Sequence, residues 1–303
     1  MMKLLKKMRK SRQLYLLLLP SLSYLIAMCY APMYGIVIAF FDYIPAVGLK
    51  GSRFIGLDNF SRFFDSHYFG MLIKNTLGIS LYSLVVNTVI PIVLALLINE
   101  VKNAKFKKVV QTISYAPYFV SVVVVVGMCC SFLDPETGVV NAIIEMFGGE
   151  PIAFMGENAW FKTIYVISGL WQGAGWWAII YIATLSGVDP SLHEAASIDG
   201  AGRFQRIWHI NIPALIPTIV TLFIMSVGSI MSVGFEKVYL MQNQMNIQAS
   251  DIIATYAYRV GLGSSTKDFG FATAVGLFNT VVNLVLLISA NYVSKKTTEE
   301  SLW

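Results

Sequence analysis

The chain has 303 residues, of which 56% are hydrophobic and 13% charged, and its formal net charge at pH 7 is +5. Its mean hydropathy of +0.65 excludes an ordinary soluble domain and predicts an integral membrane protein. The positive charge is a topology signal and gives no support for nucleic-acid binding, because the basic residues cluster beside apolar runs.

Six stretches carry no charged residue over a length that spans a bilayer. They are residues 14–41, 75–99, 109–133, 163–188, 212–234 and 269–293. Each exceeds the ~20 residues that a helix needs to cross ~30 Å of hydrocarbon. Backbone groups in lipid must be paired within their own element. The sequence therefore predicts an all-α integral membrane fold with six transmembrane helices, each run forming one helix.

The first apolar run follows a basic leader, MMKLLKKMRKSRQ, which is also how a secretory signal peptide begins. The run is about twice as long as an ordinary signal-peptide core, and no small-x-small cleavage pattern follows it. We therefore expect an uncleaved first span.

The basic residues predict the orientation. With the N-terminus inside, the cytoplasmic pieces hold 14 of the 22 basic residues. The longer outward loops hold the other eight, and loop 134–160 has only acidic charges. The predicted organisation is a cytoplasmic tail (1–13), a first span with an extracytoplasmic segment (14–70), a transmembrane core (71–293) and a second cytoplasmic tail (294–303).

The sequence offers no catalytic, metal or nucleotide site. The three cysteines, Cys29, Cys129 and Cys130, lie in apolar spans and are expected to be small buried residues. The three histidines, His67, His193 and His209, lack metal-ligand spacing. No G-x-x-x-x-G-K-[ST] motif occurs. The six spans also lack the ionisable residues that ion-coupled carriers keep at membrane depth, so the driving force is expected to enter elsewhere.

The connection between the fourth and fifth spans predicts a helix-turn-helix. Asp189 is a good N-cap and Pro190 suits the first turn of a helix over DPSLHEAAS. Gly200 can take the left-handed conformation that ends a helix. A second helix, RFQRIWHI, has Phe204, Ile207 and Trp208 on one side and Arg203 and Arg206 on another. The fifth span is then expected to begin at 212–213.

An ordinary polar loop is the alternative for this connection. A loop needs only ~2–8 residues, whereas this segment spends more than ~20 on two amphipathic helices. Leu192, Ala195 and Ala196 also form a small, flat helical face that would let another protein approach closely.

The same segment resembles the EAA loop of binding-protein-dependent ABC importer permeases of the type I, MetI/MalF-like class. The family pattern is EAA, three residues, G, nine residues, then I-x-L-P. Here it reads Glu194-Ala195-Ala196, Gly200, Ile210 and Ile212-Pro213. Ile212 replaces the usual Leu, which is a conservative change.

Other stretches resemble the carbohydrate-uptake permeases of this family, similar to the maltose-system membrane subunits. GLDNFSRFF (56–64) looks like their recurring external segment. A narrower resemblance, to LplB-type permeases for complex oligosaccharides or polysaccharide fragments, rests on GFEKVYLMQN, SDIIATYAYRVGL, FATAVGLFNTVVNLVLLISANYVSKK and the terminal ESLW.

The resemblance implies a heterodimer with a second, similar permease in a bacterial cell membrane. It also implies two copies of a separate ABC ATPase, which would bind ATP and Mg, and an extracytoplasmic solute-binding protein. This chain would bind no cofactor itself. Glu194 would pair with a basic group of the ATPase, Ala195 and Ala196 would provide the close contact, and Gly200 would make the turn. The expected coupling residues are Glu194, Ala195, Ala196, Asp199, Gly200, Arg203, Ile210 and Pro213.

Segment 56–64 independently predicts a short amphipathic helix. Asp58 is expected to cap it, and Phe60, Phe63 and Phe64 to share one face. That face is expected either to contact the binding protein or to rest aromatic rings at the membrane interface.

A saccharide path needs aromatic faces for sugar rings and amides or hydroxyls for their OH groups. The candidates are Trp171, Gln172, Trp176, Trp177, Asn87, Asn279 and Asn283. Trp near span ends is also a common interface anchor, and Asn within a span often joins helices.

A self-contained channel or secondary carrier is the competing function, and a membrane-embedded enzyme is the third. A carrier predicts buried ionisable residues or an internal repeat, and neither is evident in the sequence. A carrier would also transport without partners, whereas an importer permease would not.

Overall fold

The computed structural model describes residues 12–263 and 267–297. Residues 1–11 of the basic leader and the terminal ESLW lie outside the described part of the chain. The described chain is almost entirely helical, as the sequence predicts. Its elements are α1 (Arg12–Phe40), β1 (Phe41–Asp42), α2 (Gly48–Gly51), β2 (Arg53–Phe54), α3 (Asp58–Phe64), α4 (Phe69–Asn99), α5 (Ala104–Phe119), α6 (Val122–Phe132), α7 (Val139–Met146), α8 (Asn158–Ser186), α9 (Pro190–Ile198), α10 (Arg203–Val227), α11 (Phe235–Met241), α12 (Ile247–Ser250), α13 (Ile253–Tyr258) and α14 (Phe269–Thr297).

Five of these helices, α1, α4, α8, α10 and α14, are long and apolar enough to cross a membrane. The pair α5 and α6 would supply a sixth span if the two are counted together. This confirms the predicted all-α membrane fold.

The predicted third span is not one straight helix, because α5 and α6 meet at an angle of 97°. Pro117 lacks a backbone N–H and lies in the 3₁₀ turn that ends α5. Ser121 then caps α6, since its hydroxyl accepts from the Val124 N–H at 3.4 Å. Gln172 of α8 donates to the freed Val120 carbonyl at 2.6 Å. The sequence prediction of a single helix over 109–133 is therefore wrong.

Three other helices have limits that differ from the charge-free runs. The helices α4 and α8 begin earlier and include Lys74 and Lys162. The predicted helix over 203–210 does not stop before the fifth span, because both belong to α10. A wide π turn, Ile207–Asn211, directly precedes Pro213 and lets the helix pass a residue that lacks an N–H.

The described chain divides into two compact units, and the first contains residues 12–65 together with 257–263 and 267–277. In this unit β1 and β2 pair antiparallel, with Phe41 opposite Phe54. The short helix α3 is fixed by Asn59, whose amide donates to the carbonyls of Ala39 at 2.9 Å and Phe41 at 3.3 Å. Segment 56–64 is therefore held by the end of α1 and the start of β1.

Two expectations for α3 are corrected. Leu57 occupies the N-cap position and Asp58 is the first helical residue, with no side-chain cap bond. The three phenylalanines do not form one exposed face, because Phe63 is fully buried and packs edge-on against Phe271 at 6.3 Å between ring centroids. Phe60 lies 5.7 Å from Phe40, and Phe64 remains exposed.

The second unit contains residues 66–256 and the remainder of α14 from 278. The helices α4 and α8 pack along each other, and both contribute residues to each of two buried apolar clusters. One cluster joins Ile79, Phe161 and Met241, and the other joins Ile98, Tyr181 and Leu215. These packed helices provide the rigid walls on which polar side chains are placed.

The cysteines are free, but burial was wrongly predicted for two of them. Cys29 and Cys130 are exposed on the surfaces of their helices, and Cys129 is half-buried. The face of a membrane helix that points away from the rest of the chain is also apolar, because it contacts lipid or another subunit. Apolar sequence neighbours therefore do not imply burial within the chain.

Candidate functional site

The connection between α8 and α10 has the local geometry of a helix-turn-helix. The Asp189 carboxylate accepts from the Ser191 N–H at 2.9 Å, which caps α9 and lowers the pKa of that carboxyl. At the other end, Gly200 has a φ of +80°, the left-handed conformation that the sequence predicts. Its N–H bonds to the Ser197 carbonyl at 3.2 Å, and the Ala201 N–H bonds to the Ala196 carbonyl at 2.8 Å. This pair of bonds is a Schellman motif.

The start of α10 is fastened to the same turn. The Gly202 N–H donates to Gln205 Oε1 at 2.7 Å, and the Arg206 guanidinium donates to the Ser197 hydroxyl. The side-chain hydrogen bonds of this segment all join residues within 189–211, so α9 and the start of α10 support each other. Asn211 is fully buried, and its two side-chain polar atoms have no partner within the described residues.

This helix-turn-helix carries large exposed apolar side chains. Ile198 is 87% exposed, Phe204 88% and Trp208 68%, and Leu192 is also exposed. We name these four residues the docking patch. Large exposed apolar side chains that come together in a patch usually mark a protein or membrane contact.

The sequence-predicted coupling residues share segment 192–213 with the docking patch. Six of them are exposed, and Ala196 and Ile210 are half-buried. The exposed ones are Glu194, Ala195, Asp199, Gly200, Arg203 and Pro213. None of the charged members forms an ion pair within the described residues, so their charges are available to another molecule.

A second feature is a cavity of about 650 Å³ between α4, α8 and α10. This volume lies within the ~300–1,000 Å³ of typical small-molecule sites. The segment after α10 and the first turn of α11 complete the wall. All of these elements belong to the second unit.

The cavity wall combines aromatic, hydroxyl and amide groups. The rings are those of Tyr165, Trp177, Tyr181 and Phe223. The hydroxyls are those of Ser80, Ser83, Thr88, Ser226, Ser229 and Ser232, with Asn87 and Gln172 as the amides. Apolar rings with a few polar groups are the lining that a sugar ring and its hydroxyls require.

The cavity contains three of the seven predicted path residues, namely Asn87, Gln172 and Trp177. The Gln172 amide nitrogen is committed to the Val120 carbonyl, which leaves its oxygen for a ligand. The other four candidates are not among the described residues that line the cavity.

Those four have other surroundings. Trp176 stacks on Tyr118 with ring centroids 4.4 Å apart. Asn283 accepts from the Met231 N–H and donates to the Ser232 hydroxyl, each at 2.8 Å, and so joins α14 to the segment after α10. The Asn279 side-chain oxygen is buried without a partner in the described chain, and Trp171 is exposed.

Sequence reasoning missed Lys237, the one charged residue in the described lining of the cavity. It is 8% exposed, and its ammonium donates to the Tyr165 carbonyl at 2.8 Å. Burial lowers the pKa of Lys237 to about 8, and the nearby Cys129 opposes that shift. The available signal was its position, since Lys237 is one of the eight basic residues that the sequence prediction assigns to the outward side, which usually disfavours them.

Comparison with known proteins identifies similar chains. A family described as binding-protein-dependent transport system inner membrane component matches residues 87–299. The polygalacturonan/rhamnogalacturonan transport system permease protein YteP of Bacillus subtilis (strain 168) is 44% identical over 99% of this chain and 93% of its own length. Protein LplB of the same organism is 42% identical over 98% and 92% of the two chains.

A solved structure is similar as well. A chain of a bacterial ABC transporter involved in the import of the acidic polysaccharide alginate superimposes with a TM-score of 0.88 at 39% identity. The match covers 98% of this chain and 99% of that one. These matches confirm the resemblance to carbohydrate-uptake permeases, including the narrower resemblance to the LplB type.

Proposed function

This chain belongs to the binding-protein-dependent transport system inner membrane component family, and from that premise we propose that it forms half of the translocation path of an ATP-driven importer. A second, similar permease would form the other half. The chain is a permease subunit and not an enzyme. It would import oligosaccharides or polysaccharide fragments, as the names of its relatives suggest for those proteins.

The observation that carries this proposal is the docking patch. Ile198 and Phe204 are almost fully exposed, although a single protein in water gains by burying such side chains, at about 25 cal/mol per Å². The patch lies beside Glu194 and Arg203, so an apolar centre has charged groups at its edge. That is the usual composition of a protein–protein contact.

The partner that suits this surface is an ABC ATPase on the cytoplasmic face. Glu194 would pair with one of its basic groups, while Ala195 and Ala196 allow close approach of the two backbones. Two copies of the ATPase would hold ATP and Mg. Movement of a bound ATPase would reach the cavity directly, because α10 runs without interruption from Arg203 to Val227.

The remaining parts of the importer follow from the same premise. An extracytoplasmic solute-binding protein would deliver the saccharide, and the family description names such dependence. Both termini and the helix-turn-helix would lie in the cytoplasm of a bacterial cell. The reason is that most of the basic residues belong to the segments on that side, and Lys and Arg favour the cytoplasmic side.

Reconstitution tests this function. Proteoliposomes would contain the two permeases with or without the ATPase and the binding protein. We expect saccharide uptake only when all components and ATP are present. Uptake by this chain without ATPase and binding protein would instead favour the self-contained carrier or channel.

A further inference from the structure

Lys237 is a buried cation in the cavity wall without a carboxylate partner. Its side chain lines the cavity on α11, and the ammonium lies 4.7 Å from the centre of the Tyr165 ring. Across the described residues, no Asp or Glu pairs with it. An ammonium has three donors, and the Tyr165 carbonyl accepts from only one of them. Two donors therefore remain for another group.

The ammonium packs against a glycine, in a wall whose described lining holds no carboxylate. Gly169 of α8 leaves room for the ammonium itself, because a Cβ atom there would stand only 3.2 Å from Lys237 Nζ. The cavity is lined by hydroxyls, amides and rings, and its described lining contains no Asp or Glu. A buried, unpaired charge is costly in free energy unless another charge or strong acceptor compensates it. An anionic ligand would provide that compensation.

A second lysine lies beside the same path. Lys162 is about two turns, or ~10 Å, before Gly169 on α8. Its amine lies against Gly78, where a Cβ atom would be 2.6 Å away, and the next two residues of α4 line the cavity. Lys74 is one turn before Gly78 on α4. Within the described chain, neither lysine forms an ion pair.

These lysines oppose the usual distribution of charge in membrane proteins. The outward side normally avoids Lys and Arg, yet Lys74, Lys162 and Lys237 belong to the eight basic residues assigned to that side. Their placement at or beside one cavity is explained by a negatively charged substrate.

We propose that the cavity takes an acidic saccharide and that Lys237 binds the carboxylate of a uronate residue. The inference rests on the proposed function, because it names the substrate class of that same importer. Ser80, Ser232 and Asn87 would bind the sugar hydroxyls, and the Trp177 ring would contact an apolar sugar face. Lys162 would attract the next acidic residue of the chain.

The test uses the complete importer in proteoliposomes and two matched probes, trigalacturonate and its carboxyl-reduced counterpart. These probes share linkage and length but differ in charge. We expect Lys237→Met to lower trigalacturonate uptake more than about tenfold, because it removes one partner of a buried charge pair. Lys237→Arg should retain most of the uptake. Lys162→Met should cause a smaller loss, of about threefold.

Three controls separate the possible outcomes. Lys50→Met removes an exposed lysine of the first unit and should not change uptake of either probe. Uptake of the carboxyl-reduced probe should be unaffected by Lys237→Met.

An equal loss of uptake of both probes in Lys237→Met would show that Lys237 is only structural. Unchanged uptake of trigalacturonate would overturn the proposal. Failure of every saccharide to stimulate ATP hydrolysis would instead overturn the importer function, and this inference with it.

The pH profile gives an independent readout. Lys237 is charged below its pKa of about 8, so trigalacturonate uptake at low substrate concentration should fall as the pH rises through about 8. The titratable groups that face it are Tyr165 on α8 and Cys129 on α6. Lys237→Arg should abolish the fall, since a guanidinium stays charged. The same fall in Lys237→Arg, or with the carboxyl-reduced probe, would contradict the proposal.

Discussion

Two irregular segments of the second unit, 189–204 and 243–256, have similar lengths and differ in the exposure of their side chains. In the first, Ile198 and Phe204 are exposed and the polar contacts stay within the helix-turn-helix. In the second, Asn246, Asp251 and Ile252 are each 1% exposed. The second segment buries these side chains within the chain itself, whereas the first leaves Ile198 and Phe204 exposed.

The buried segment is fixed by hydrogen bonds to two long helices. Asn75 of α4 donates to the carbonyls of Gln248 at 2.8 Å and Asp251 at 3.1 Å. Asn158 at the start of α8 accepts from the Ala249 N–H at 3.1 Å. Polar groups that leave the water are thus paired, as burial requires. The comparison shows that the second segment is fixed to the long helices, and under the proposed function the first would serve an interaction.

The largest expected effect comes from Phe204→Glu, which places a charge in the docking patch. Removing a central aromatic residue from an interface typically costs ~2–4 kcal/mol, and a desolvated charge adds to that cost. We expect the ATPase to be lost from the purified complex and uptake to fall more than about 100-fold. Thermal stability of the permease pair should not change, because Phe204 contacts solvent in this chain. A stable complex with normal uptake would break the distinction between the two segments.

Gly200→Val tests the turn that orients α9. A β-branched residue at φ +80° is strained, at a cost of ~1–3 kcal/mol, although no atom lies within 4 Å of a Cβ at this position. We expect uptake to fall about tenfold or more while the protein still inserts into the membrane. The matched control is Gly202→Val, two residues away at a φ of −69°. If both variants lose uptake equally, the left-handed turn is not the cause.

The smallest functional effect is expected in the buried segment. Asn246 donates to the Met155 carbonyl at 2.8 Å and the Met241 carbonyl at 3.0 Å, and it accepts from the Asn243 N–H at 3.0 Å. Asn246→Ala should lower the free energy of unfolding by ~1–3 kcal/mol because these partners become unsatisfied. A thermal melt should detect this loss, while the folded protein should still retain the ATPase. Loss of the ATPase at full thermal stability would contradict the assignment.

The approximate positions of the five long apolar helices could be predicted from sequence because a charge-free run of sufficient length is a local property. The break between α5 and α6 could not. Pro20, Pro91 and Pro217 all lie inside helices, so a proline in a span does not by itself predict a break. At Pro117 the break is stabilised by Gln172, which is 52 residues distant from Val120. Such a partner is visible only in the fold.

The candidate site divides in the same way. The helix-turn-helix was predictable because a cap, a glycine and a helical period are all encoded within 25 residues. The cavity was not, since Lys237 meets Tyr165 across 72 residues of sequence. Asn283 had suitable chemistry for a sugar path, yet tertiary packing turned its amide toward the segment after α10. Composition identifies polar residues in spans, and only packing decides which of them face a cavity.

The most direct test of the central claim labels both segments in one assay. Ile198→Cys and Met245→Cys, both at exposed positions, would be made separately after replacement of the native cysteines and treated with a membrane-impermeant thiol reagent. We predict that Ile198→Cys reacts only from the cytoplasmic side and becomes protected when the ATPase is bound. Met245→Cys should react only from outside, with or without the ATPase. Unchanged reactivity of Ile198→Cys in the complete importer, or reaction from outside, would contradict the account.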